Sequence, residues 1–160
     1  MGNRDGVRGG AWRGPSRLLF LVCLALAPAA RAGLGESRAS VEADHLALGG
    51  TALVVSTAPG YEVHETTTAQ GGTIRQYVTA DGTVFAVSWR ARFQPNLQQL
   101  LANHYAEYVT TARAHRGNHH LLSISNPGLV LTVVRLPRGS AGAAHLPGLL
   151  PPGVKPEQLR

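Results

Sequence analysis

Asp81-Gly82 stands between two runs of alternating apolar and polar residues, 73–80 and 83–89, and this arrangement restricts the fold more than any other feature. Asp-Gly suits the two left-handed backbone positions of a type I′ turn, so the flanking runs form a tight antiparallel hairpin. The turn predicts a register in which Ala80 faces Thr83, Val78 faces Phe85, Gln76 faces Val87 and Ile74 faces Trp89. Side chains alternate along a strand, so these eight share one side of the ribbon. That side is apolar except for Gln76 and Thr83 and becomes the expected core face. Burying Phe85 and Trp89 there contributes about 1.5–3 kcal/mol each. Gln76 breaks the pattern. Either its amide reaches a backbone partner at the sheet margin, or the bend shifts the register, or Gln76 reads a ligand in a groove walled by Trp89 and a helix.

The remaining elements follow from similar signals. Residues 33–39 read as a flexible start. Ser40 resembles an N-cap, with Glu42 and Asp44 in the first turn and Gly49-Gly50 as a stop, which predicts a short helix over 41–48. Strands are expected over 52–56 and 61–67. After Pro95, Leu97, Leu100, Leu101, His104, Tyr105, Tyr108 and Ala112 recur at helical spacing, predicting an amphipathic helix over 95–115 that ends at Gly117-Asn118. Two further strands bracket Asn126-Pro127-Gly128. Residues 138–144 are mostly Gly, Ser and Ala and read as mobile, and Pro147, Pro151, Pro152 and Pro156 mark an irregular ending. The expected fold is therefore α+β: an antiparallel sheet of about five or six strands against one long amphipathic helix, with a short N-terminal helix and a Pro-rich C-terminal tail. Residues 33–160 form a single domain in this reading, with 136–160 as its tail.

The domain begins at 33 because residues 1–32 read as a cleavable signal peptide. Arg4, Arg8, Arg13 and Arg17 precede an apolar run over 18–27, and Ala30-Arg31-Ala32 offers a small-x-small site with cleavage after Ala32. About ten apolar residues ended by Pro28 are too few to span a bilayer core of ~30 Å. A periplasmic or secreted destination follows, with a chain that does not span a membrane once mature. Removing the leader also changes the charge. The formal net charge of +6 falls to +2, ten cations against eight acids. Those cations are spread along the sequence, which argues against nucleic-acid binding. The one cysteine, Cys23, lies in the leader, so residues 33–160 hold no disulfide, thiolate ligand or cysteine nucleophile.

Chemical motifs are sparse. His115, His119 and His120 cluster in sequence, with His104 three helical turns before His115, and a His-rich metal carrier is one reading. Gly117-Asn118 between His115 and His119 breaks the helix that would align them. An envelope hydrolase would need His64, His104 or His145 beside a carboxylate or serine. No Gly-x-Ser-x-Gly stands in the chain, and Gly49-Gly50 and Gly71-Gly72 match no phosphate loop. The expectation is an exported, non-catalytic binding or scaffolding domain without cofactor or metal. Its groove residues would be Gln76 and Trp89, and its partner an envelope protein or small ligand.

Three strings carry a resemblance: Arg75-Gln76-Tyr77-Val78, Gly82-Thr83-Val84-Phe85-Ala86-Val87-Ser88-Trp89, and Pro95-Asn96-Leu97 followed by Leu100-Leu101. With the closing Leu149-Leu150-Pro151-Pro152-Gly153-Val154, they resemble the exported proteobacterial family known as domain of unknown function 2844. The resemblance implies export and a shared fold, and it carries over no activity and no functional residue. This chain departs from the family pattern at Gln76, where Glu is usual, and at Asn96, where Asp is usual. Residues 118–145 match weakly.

Overall fold

The structure, a computed structural model, describes residues 33–114 and 120–159. Helix α1 (Arg38–Ala47) precedes strands β1 (Gly50–Ala58), β2 (Tyr61–Thr68), β3 (Thr73–Thr79) and β4 (Val84–Ala91). Helices α2 (Leu97–Leu101) and α3 (Tyr105–Ala114) then lead to β5 (Leu121–Ser125), β6 (Val130–Leu136) and β7 (Gly139–His145). All pairings are antiparallel, in the order β1-β2-β3-β4-β7-β6-β5. Two meanders, β1 to β4 and β5 to β7, thus meet at a β4–β7 seam. The α+β class with an antiparallel sheet holds. The expected five or six strands are seven, and the expected long helix is broken in two.

The extra strand is β7. Its Gly, Ala and Ser residues read as mobile in sequence, yet they occupy an interior position of the sheet. Small side chains are required there. A Cβ on Gly142 would lie 2.3 Å from Trp89 Cζ2, because the indole lies against the strand. Gly139, at φ +136°, passes so close to β4 that a Cβ would stand 2.2 Å from the Ala91 carbonyl oxygen. The expected tail over 136–160 is therefore a strand first. Only after His145 does the chain run irregularly, through two short 3₁₀ turns at Pro147–Leu149 and Pro156–Gln158, to buried Leu159.

The helix divides at Ala102, which takes φ +45°, and Ala102–His104 is a single 3₁₀ turn. The cause lies in the first described residues. The Leu34 N–H donates to the Leu100 carbonyl at 2.9 Å, and a Cβ on Gly33 would sit 2.4 Å from the Gln99 carbonyl oxygen. A strap over 33–36 thus takes the carbonyl a continuous helix would use. The segment expected to be flexible is held, with Gly35 N–H on Val84 O and Val84 N–H on Glu36 O, each at 2.8 Å. Helix α2, N-capped by Asn96, buries Leu97, Leu100 and Leu101, whereas α3 has no fully buried residue and leans on the core through Tyr105 and Tyr108. Helix α1 starts one turn earlier than its sequence signal, with Ser37 at the cap position.

The hairpin turn also differs. Gly82 N–H donates to Thr79 O and Thr79 N–H to Thr83 O, both at 2.9 Å, so the loop holds three residues, with Gly82 at φ +88°. Val78 consequently faces Val84. An extra residue, Phe85, then restores the expected pairs Gln76 with Val87 and Ile74 with Trp89. The two offsets cancel, and their net effect is to turn Phe85 to the opposite face. The helix-covered face buries Ile74, Val78, Val87, Trp89 and Leu131 beneath Val41, Leu100 and Leu101. On the other face, Phe85 packs with Tyr61 and Tyr77 at ring separations of 5.8 and 6.2 Å, closed over by Leu159.

Candidate functional site

Beyond that aromatic stack the second face is open. Alternation along β7 turns Gly142 and Ala144 toward the helices and Ala141 and Ala143 the other way. Ser88 and Thr132 flank Ala143 on the neighbouring strands. With only small side chains in the middle and Val130 and Val134 along one side, the surface sinks into an open groove of about 1100 Å³.

The two ends of the groove differ in charge. At one end stand Arg90, Arg92 and Arg138. Arg90 is the register partner of Ala141, and Arg92, two residues on, leaves the strand on the same side. Arg138 lies in the β6–β7 turn, which presses on β4 closely enough that a Cβ on Gly139 would lie 3.0 Å from Arg92 Cα. Ion pairs among the described residues are Arg38–Glu62, His64–Glu62 and Arg75–Glu65, so these three guanidinium groups have no acidic partner there. Arg75 lines the groove too, but its Nε is bonded to Glu65 at 2.7 Å. At the far end are His145, Glu157 and Leu159. Burial pushes the His145 imidazole below its ordinary 6.5, against the opposing pull of Glu157, which leaves it neutral at pH 7. The fold gathers cations that the sequence leaves scattered.

Gln76 lies elsewhere. It is 1% exposed on the helix-covered face, and its Nε2 donates to Asp44 Oδ2 at 2.6 Å. Gln99 Nε2 donates to the other oxygen of the same carboxylate. Asp44 is fully buried, and that burial pushes its pKa up to about 7, partly offset by the amides of Gln99 and Gln76. Gln76 therefore ties β3 to α1 through a shared acid and takes no part in the groove. Trp89 does belong to the groove lining, although its ring is part of the core, with a buried Nε1 that has no acceptor among the described residues.

The structure brings His64 to a carboxylate, with Nε2 3.2 Å from Glu62 Oε2, and Arg38 holds the same oxygen at 2.9 Å. This pair lies on the helix-covered face, apart from the groove residues. Period-two spacing on β2 was its signal in the sequence. His104 has no carboxylate partner among the described residues. His115 and His119 lie outside the described residues; among those described, no three His, Cys, Asp or Glu side chains converge as metal ligands. No described helix is long and apolar enough to cross a membrane.

Comparison with known proteins agrees with the resemblance read from the hairpin and helix strings. No curated protein and no solved structure matches the chain. A family model does match, over residues 30–159, nearly all of the part described above. The chain belongs to the family described as "Protein of unknown function (DUF2844)".

Proposed function

We propose that the chain is exported, loses residues 1–32, and acts in the periplasm as a non-catalytic binding module whose groove holds a small anionic ligand. One observation carries this reading: Arg90, Arg92 and Arg138 stand at one end of an open groove with no acid paired to them among the described residues. Unpaired guanidinium groups at the mouth of a concave site favour carboxylate or phosphate, which they bind through charge-assisted hydrogen bonds. The small, largely apolar middle of the groove, built on Ala141, Ala143 and Val134, suits an uncharged body behind that headgroup. Export is supported by the Arg-rich leader, its short apolar run and the Ala30-Arg31-Ala32 site. A hydrolase reading would rest on His64 and Glu62, but Arg38 already engages that carboxylate and the pair stands apart from the groove.

Calorimetric titration of the purified protein with dodecanoate tests the groove. Saturable binding is expected, weakened about tenfold by Arg92→Gln and by a similar factor on adding Arg138→Gln. No binding, or binding indifferent to both substitutions, overturns the reading. Export is tested separately, by the intact mass of the chain recovered from a periplasmic extract; it should begin at Gly33.

A further inference from the structure

Among the described residues, strand β1 forms one border of the sheet and pairs with β2 alone. Exposed borders are normally blunted by charge, proline or shortness, because unpaired backbone groups recruit other strands. None of these three is present in β1, whose one irregularity is a bulge at its first residues, between Gly50 and Ala52. It is nine residues long, Gly50 to Ala58, with no charged residue and no proline, and it exposes Val54 and Val55 at 60% and 52%. The opposite border, β5, has five residues and is flanked by α3, whose Glu107 accepts a hydrogen bond from Asn126 in the turn after β5.

The sequence of β1 has a symmetry of its own. Around Val54 its side chains form a rough mirror: apolar Leu53 with Val55, small Ala52 with Ser56, and Thr51 with Thr57. Two such strands placed antiparallel about Val54 set apolar beside apolar at the centre and small beside small on either side, and no charge meets its own copy. The backbone agrees with this centre. Pro59-Gly60 is a two-residue turn closed by the pair Ala58–Tyr61, so the N–H and C=O groups of Ala58, Ser56, Val54 and Ala52 point toward β2. Those of Leu53, Val55 and Thr57 point outward, while Thr51 sits in a bulge between Gly50 and Ala52. A two-fold axis through Val54 pairs Leu53 with Val55, both outward, and the ladder ends where Thr57 meets the bulge of the other copy.

We propose that β1 pairs antiparallel with β1 of a second copy about Val54, joining two seven-stranded sheets into one continuous sheet in a closed two-fold dimer. A two-fold contact uses the same surface on both subunits, so it closes without further growth. The axis stands perpendicular to the sheet, which keeps both helix-covered faces on one side and leaves both grooves open on the other.

The register makes the proposal testable residue by residue. Val54 meets its own copy as a non-hydrogen-bonded pair, with Cα atoms about 4.5 Å apart, within disulfide reach. Ser56 lies opposite Ala52 of the other copy and about 13 Å from its own counterpart. In a Cys23→Ser background, Val54→Cys should give a disulfide-linked dimer on mild oxidation, and Ser56→Cys should not. Mixing Ala52→Cys with Ser56→Cys chains should restore the cross-link. Sedimentation of the unmodified protein should give twice the chain mass, and Val54→Lys, at an exposed position, should give a folded monomer. A monomeric unmodified protein, growth beyond a dimer, or cross-linking of Ser56→Cys as readily as Val54→Cys overturns the proposal.

Discussion

The two faces of this sheet are built from alternate residues of the same strands, yet they are finished in opposite ways. Under the helices, large side chains interlock, and Gly142 exists to admit the Trp89 indole. On the other face an aromatic stack is closed over by Leu159 at one end, and the rest is left as a groove lined by alanine, serine, threonine and arginine. Adjacent residues of β7 therefore answer to different demands. Gly142 is held by packing density, whereas Ala143, one step along, is small for the sake of open space. The difference teaches that a run of small residues can serve a core and a cavity at once.

The sharpest way to break this comparison is to empty the stack. Phe85→Ala should cost about 3–5 kcal/mol, read from the urea midpoint, because Phe85 is fully buried between Tyr61 and Tyr77. A small loss would mean the second face adds little to stability even where it is covered. Next comes Gly142→Ala, expected to cost about 1–3 kcal/mol through overpacking against Trp89. A neutral result would show that the indole moves freely.

The buried acid gives a test by pH. Between 3.8 and about 7 the folded chain keeps a proton on Asp44 that the unfolded chain has released. Its contribution to stability is thus complete at low pH and is lost as pH rises through that window, by up to about 1.4 kcal/mol per pH unit, levelling above it. Asp44→Asn should remove this slope from a series of urea midpoints, and an unchanged slope would assign it to another group. The smallest effect belongs to the groove. Ala143→Leu should alter stability by no more than about 0.5 kcal/mol while abolishing dodecanoate binding in calorimetry. A large destabilisation would place Ala143 in the core and erase the contrast with Gly142.

Much of the helix-covered face is legible in the sequence, because it rests on local rules. The pairs Gln76–Val87 and Ile74–Trp89 follow from an Asp-Gly bend and period-two alternation, and both stand in the structure. The side on which Phe85 lies does not follow. It depends on a three-residue loop offset by a bulge, and each is invisible without the other. Strand β7 is hidden for a different reason: Gly, Ser and Ala signal mobility when judged alone, and only the indole of Trp89, 53 residues before Gly142, shows why small side chains belong there. The helix break at Ala102 likewise depends on a distant strap that captures the Leu100 carbonyl. The groove was the least legible feature, because Arg138 reaches Arg90 and Arg92 only through the β4–β7 pairing. Gln76 breaks the apolar pattern of its face in the sequence, and the structure explains it by the buried Asp44, outside the groove.

The seam between β4 and β7 also bears on how the chain reaches this shape. Each meander closes through short loops, but the seam pairs residues as distant as Ala86 and His145. Joining such remote segments costs loop-closure entropy that local hairpins avoid, and this topology slows folding. The two halves are therefore expected to form early and to dock late, with docking as the rate-limiting event. Trp89 stands on that junction and is the sole tryptophan after residue 12, so its emission offers a natural clock for the final step.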